Sequence, residues 1–173
     1  MIREFKTKIV KTKEYKKTYS IVFGILYLTA TFYIFLLDKE NQNIYLKYIA
    51  LLIYLYGAYF LIAQSFIKPK VIGVFSMYED FIKFELNGVE KTIQLKELDN
   101  FFLKYTDYGS WTTHSIYGNK NYLKIINKNG EKYYFEILIR NKKMKDDFKA
   151  FINNTGIYEK FDFIKISNSR TEF

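Results

Sequence analysis

Side chains able to move protons or hold metals are scarce in this chain. His114 is the only histidine among 173 residues and cysteine is absent, so a Cys–His nucleophile, a thiolate metal site and a multi-histidine metal site are all excluded. His114 stands in the stretch DYGSWTTHSIYG, where Asp107 and the single imidazole could together act as acid and base on a polar substrate. The remaining acids Glu79-Asp80, Glu97 with Asp99, and Asp146-Asp147 fall at turns or at a helix start, where capping and the helix dipole favour negative charge without any catalytic role. The eight glycines are dispersed at turns, and none forms a phosphate-cradling loop. The residues therefore point to a non-catalytic protein with no cofactor-binding or metal site. The same loop reads better as a contact surface, since Trp111, His114 and Tyr117 put an aromatic anchor beside hydrogen-bonding groups on a long irregular connection. A plainer role for Trp111 is to cover an open end of a sheet or to touch a membrane, and the residues alone leave both open.

The elements that must carry this loop begin with two uncharged apolar stretches, residues 18–37 and 48–67, each about the length an α-helix needs to cross roughly 30 Å of hydrocarbon. Only DKENQNIYLK separates them, so the second helix returns beside the first as an antiparallel hairpin. Ser20, Gly24 and Thr31 on the first, and Ala50, Gly57 and Gln64 on the second, give each helix one face of small or polar residues for close packing. Tyr19, Tyr45 and Tyr48 fall where an interfacial aromatic belt belongs, whereas Tyr54 and Tyr56 lie deeper and call for partners, which suggests a protein partner or homo-oligomer. A cleaved signal peptide fits poorly: the first run is too long for its apolar region, no A-x-A site follows Leu37, and a second full-length run comes next.

The formal charge of +9 is unevenly placed. The arm, residues 1–17, carries +5, the helix connection is neutral, and everything from Lys68 onward carries +4. Basic residues flanking membrane helices are retained on the cytoplasmic side, so the arm with Lys68 and Lys70 places both termini in the cytoplasm and the hairpin tip outside. Beyond the arm the basic residues are interspersed with acids, which argues against nucleic acid as a partner. Whether a small molecule binds is left open by the residues.

Pro69, the only proline, ends the hairpin, and the pattern then changes to short alternating runs. VIGVFSMY, FIKFEL and KTIQL are strands, the last two joined by Asn87-Gly88, a type I′ turn signal. An aromatic run from Phe101 to Tyr105 precedes the long loop 106–121, and YLKIIN, Lys128-Asn129-Gly130 and KYYFEILI make a second hairpin. Met144, Phe148, Phe151 and Ile152 then recur at helical spacing, predicting an amphipathic helix over 142–155 with Asn141 as N-cap and Gly156 just past its end. Its polar face holds Lys142, Lys143, Lys145 and Lys149, a second candidate partner surface that could equally be solvated. In the tail, 157–173, Phe161 and Phe163 could add a short strand.

The segments KVIGVFSMYEDFIKFELNGVEKTIQL, YLKIINKNGEKYYFEILI and KKMKDDFKAFI, placed after a helical hairpin, resemble the bacterial PH-like membrane proteins of the YcxB-like group. The resemblance implies an α+β membrane protein: a two-helix transmembrane hairpin, then a PH-like antiparallel β-barrel or sandwich over 70–156 in which four strands and then three form near-orthogonal sheets, capped by the C-terminal helix. It implies a multi-pass protein of the bacterial inner membrane. Eukaryotic lipid-binding PH domains carry basic residues at the turn between their first two strands, where this chain has Met77, Tyr78, Glu79 and Asp80, so no ligand residues carry over. The expected function is a membrane-anchored binding or scaffolding module. Two other readings stand beside it: a small subunit of a membrane complex of the secretion, assembly or toxin-immunity type, and a membrane-bound enzyme using Asp107 and His114.

Overall fold

A computed structural model describes residues 4–13, 17–38, 40, 42–110 and 116–165, leaving aside the side chains of Lys17, Leu61 and Gln64. The protein is α+β, with an open eight-stranded sheet and three α-helices among the described residues. The chain divides into two compact units, Met1–Lys13 with Ile67–Phe173, and Glu14–Phe66.

The second unit holds α1 (Lys17–Phe35) and α2 (Ile44–Ala63), followed by a single 3-10 turn at Gln64–Phe66. Within α1, Thr18–Phe35 is long and apolar enough to cross a membrane, while the apolar stretch of α2, Ile44–Phe60, is shorter. α2 starts four residues before the expected boundary because Asn43 caps it, its Oδ1 accepting from the N–H groups of Tyr45 at 2.9 Å and Leu46 at 3.4 Å. The Gln42 amide donates to the Tyr33 and Leu37 carbonyls at 3.0 and 2.8 Å, serving carbonyls that the end of α1 leaves without intrahelical partners.

The interhelical contact brings aromatic rings in beside the expected faces, and Ser20 and Gly24 line a cleft with Gly57 and Phe60. On α2 it uses Ala50 and Gly57, both buried, but α1 presents Phe23, Tyr27 and Ala30, while Ser20 and Gly24 are exposed. Aromatic stacking sets this rotation: Phe23 lies 5.0 Å from Phe60, Tyr27 lies 5.3 Å from Tyr54, and the Tyr27 ring fills the space a side chain at Gly57 would need. Thr31 is half-buried and turns its hydroxyl to its own helix, donating to the Tyr27 carbonyl at 2.8 Å. The side chain of Gln64 lies outside the described set.

The first unit contains β1 (Glu4–Lys11), β2 (Lys70–Tyr78), β3 (Phe81–Leu86), β4 (Val89–Gln94), β5 (Leu98–Tyr105), β6 (Asn121–Asn127), β7 (Lys132–Ile137), α3 (Lys142–Asn153) and β8 (Phe161–Lys165). The strand order is β4-β3-β2-β1-β7-β6-β5-β8. Residues Glu4–Lys11 of the arm are therefore a strand of the sheet, a place that the reading of 1–17 as a basic cytoplasmic arm did not assign. EFKTKIVK alternates strictly: Phe5, Thr7 and Ile9 are buried while Glu4, Lys6 and Lys8 face out, so Lys6 and Lys8 are on the solvent side of a central strand. A bulge between Ile9 and Val10 then lets both be covered.

β8 pairs in parallel with β5, an orientation that alternation alone cannot specify. Asn87 and Gly88, at φ 52° and 82°, turn β3 into β4.

The sheet is coiled upon itself. β2 and β5 are four strand spacings apart, about 19 Å along a flat sheet, yet the rings of Phe75 and Phe101 are 6.3 Å apart. β3 and β7 are three spacings apart, and Phe84 lies 5.3 Å from Phe135. Between the two halves sits the core, with α3 packed on it through Phe148, Phe151 and Ile152, each worth about 1.5–3 kcal/mol when buried. Phe148 meets Phe5 at 4.6 Å. Asn141 caps α3, its side chain accepting from the Met144 N–H. The helix stops at Asn153, two residues before the expected end: Asn154 closes it by bonding back to Ala150, and Gly156 is not in the left-handed conformation a C′ glycine would take.

Candidate functional site

The long loop after β5 stands on a neck built from buried polar groups. Asn121, fully buried at the start of β6, accepts on Oδ1 from the N–H groups of Thr106 at 2.8 Å and Asp107 at 3.3 Å. Its amide nitrogen donates to the carbonyls of Asp107 at 2.8 Å and Gly118 at 3.0 Å. One side chain thus joins the outgoing and returning limbs, and the Thr106 hydroxyl adds a bond to the Lys120 carbonyl at 2.6 Å.

Both limbs also grip the chain just past β7. The Gly109 N–H donates to the Ile139 carbonyl, and the Ile139 N–H donates to the Gly118 carbonyl, each at 2.8 Å. Gly118 has φ +70°, and a Cβ there would come within 1.8 Å of the Ile139 oxygen, so only glycine fits this crossing.

A second buried group ties the neck to the end of β1. Glu136 on β7 is 7% exposed. Its carboxylate accepts from the Thr12 N–H at 2.8 Å, from the Thr12 hydroxyl, and from the Lys120 N–H at 2.6 Å. Asn119, also buried, donates to the Thr12 hydroxyl oxygen at 2.6 Å. Three N–H or O–H donors on one carboxylate account for its burial without a counter-ion.

The tip residues Trp111 and His114 lie outside the described residues, and Tyr117 is half-exposed beside the neck. Asp107 is 3% exposed, and its Oδ1 accepts from the Tyr108 N–H at 3.0 Å. Among the described residues no three acidic or histidine side chains converge as a metal site. The arrangement joins the two limbs of the loop at its neck. It holds no described nucleophile–base pair.

The lysines of α3 do not form one patch. Lys142, Lys143 and Lys149 are exposed, but the Lys145 side chain is only 12% exposed, with Nζ 3.3 Å from Asp146. A different basic cluster appears where registers bring strands together: Lys104 on β5, Lys124 on β6 and Lys132 on β7 all point away from the core.

Sequence reasoning missed Thr12, Asn119, Asn121 and Glu136. Glu136 occupies a polar position in an alternating strand and reads as solvated, and its partner Thr12 is 124 residues away, so no local signal existed. No protein-family model matches the chain, and no curated protein matches it.

Proposed function

We propose that this protein is a membrane-anchored, non-catalytic binding or scaffolding module: α1 and α2 form a transmembrane hairpin, both termini are cytoplasmic, and the sheet domain is PH-like, as in the YcxB-like group. The observation that carries this reading is the place where the hairpin is inserted. Lys11 and Lys70 are partners across the β1–β2 ladder, so the chain leaves and re-enters the sheet at neighbouring points. Two antiparallel helices of which one is long and apolar enough to span, entered from the lysine-bearing strand β1 and left toward Lys68 and Lys70, fit an anchor that goes out and returns to the positive-inside face.

The PH-like assignment is supported by strand count. With β1 included, an antiparallel run of four strands, β1 to β4, precedes a run of three, β5 to β7, and then the helix α3. The coil that brings Phe75 to Phe101 faces the two halves toward each other, as a sandwich requires.

A binding role follows from the neck. Buried networks that fix both limbs of the loop at its neck lower the ordering cost of recognition there. Anchoring then raises the effective concentration of any membrane-localised partner.

The test is membrane extraction with protease mapping in intact cells. Resistance to alkaline carbonate, with tags at Phe173 protected and a tag placed in 38–43 cleaved from outside, supports the reading. Extraction by carbonate, or external cleavage at Phe173, overturns it.

One observation favours the complex-subunit reading as a variant. Tyr56 and Tyr59 are 56% and 67% exposed on α2, and buried phenols in hydrocarbon seek hydrogen-bond partners, which a neighbouring helix would provide. Co-purification of a second membrane protein in mild detergent, lost on Tyr56→Phe with Tyr59→Phe, would establish it.

A further inference from the structure

We infer that the outward face of β5, β6 and β7 docks on an anionic lipid bilayer, an inference that rests on the membrane-anchored reading above. In one cross-strand row Phe102, Lys124 and Tyr134 are neighbours, and in the next Lys104 stands opposite Tyr122. Lys132 lies on the same face, two residues from Tyr134. The intervening Leu103, Leu123 and Phe135 are buried, which fixes the direction of this face.

The Tyr122 and Tyr134 rings stack 5.6 Å apart and within 2° of parallel. Tyr134 is 62% exposed, and Ile164 on the neighbouring β8 is 58% exposed.

Charge is unequally shared along the outer surface of the sheet. On the β2–β4 half, Lys83 is paired with Glu90 at 2.8 Å and Glu85 lies next to Glu90 across the ladder. On the β5–β7 half the exposed carboxylates are Asp99 at the bulge of β5 and Asp162 of β8, which accepts from Asn100 at 2.9 Å, while Glu136 is buried and engaged by Thr12 and Lys120. Lys104, Lys124 and Lys132 outnumber these two acids on that half.

Lysines interleaved with tyrosines and isolated aliphatic side chains match the headgroup layer: ammonium groups meet phosphates, phenols sit at the interface, and Ile164 reaches the acyl boundary. A nucleic-acid strand matches less well. Its bases need open ring faces, and here the two tyrosines stack on each other, with an aliphatic side chain beside them.

The test uses the full chain in nanodiscs of phosphatidylcholine alone or with added phosphatidylglycerol. Amine acetylation is read by mass spectrometry at Lys104, Lys124 and Lys132, with Lys142 and Lys143 as internal references. Phosphatidylglycerol should slow labelling of the three face lysines about fivefold or more, and about 1 M salt should restore it.

Equal labelling in the two discs overturns the docking. Carbonate resistance of the same protein is read separately, so loss of anchoring and loss of docking are told apart. Protection by single-stranded RNA in neutral discs, with none from phosphatidylglycerol, also overturns the inference. Lys104→Glu with Lys124→Glu should abolish protection of Lys132, whereas the corresponding Lys→Arg pair should preserve it. Protection surviving the Glu pair counts against this face.

Discussion

The Glu136 carboxylate on β7 accepts the backbone N–H of Thr12, 124 residues earlier in the chain, at 2.8 Å. Through the same carboxylate the end of β1 is joined to Lys120, at the returning limb of the long loop. Glu136→Ala leaves these donors buried without an acceptor, at about 1–3 kcal/mol per group, so a loss of roughly 2–4 kcal/mol is expected in urea unfolding. Glu136→Gln keeps an acceptor oxygen and should lose less. Alanine within about 0.5 kcal/mol of wild type would show that the carboxylate is merely solvated.

Gly118→Ala probes the neck by a different route. The positive φ and the 1.8 Å approach to the Ile139 oxygen mean that the crossing must open. Destabilisation should exceed about 1 kcal/mol, with faster proteolysis confined to residues 106–120. Unchanged cleavage there would mean the limbs are not held by this crossing.

What the residues revealed before folding was local, and what they concealed was pairing. Asn87-Gly88, the stripe of Phe148, Phe151 and Ile152, and the Asn141 cap are written within a few positions and could be read directly. The arm's place in the sheet could not. Its alternation is plain, but the strands that flank it, β2 and β7, lie beyond the inserted helices, and its lysines suggested an anchor instead. On α1 the aromatic contribution was missed for a related reason: small residues can be read as permitting close packing, but the stacks of Phe23 on Phe60 and Tyr27 on Tyr54 need the partner helix. At the candidate site the loop was legible as a long irregular connection, whereas Asn121 and Glu136 gain their roles only from backbone groups brought to them by the fold.

The cluster around Glu131 predicts how stability changes with pH. Hydrogen bonds from the Tyr133 hydroxyl and the Asn127 amide, both 2.7 Å, and then the Lys91 ammonium, hold the Glu131 carboxyl below its ordinary 4.5. A lowered carboxyl value stabilises fully above pH 4.5 and is lost as pH falls through the folded-state value. Lys91, raised above 10.5 by its bond to Tyr133 and by Glu131, contributes below pH 10.5 and stops contributing as pH rises past its folded-state value. Denaturant titrations at descending pH should show wild type losing part of its stability below pH 4.5 where Glu131→Gln does not. Parallel curves for the two proteins would exclude Glu131 as a contributor.

Placing β1 at the centre of the sheet makes the domain discontinuous, and this can be tested by rebuilding it. A fragment beginning at Ile67 lacks the strand that bridges β2 and β7, exposing Phe75 and Phe148 where Phe5 and Ile9 should cover them. It should lack near-ultraviolet circular dichroism and cooperative unfolding. Because Lys11 pairs with Lys70, joining Lys13 to Ile67 through about six glycine and serine residues spans the gap without strain. That single chain, free of α1 and α2, should unfold cooperatively and show slow hydrogen exchange at Ile9 and Ile137, which are paired across β1 and β7. Cooperative unfolding of the fragment without β1 would mean that the arm is peripheral after all.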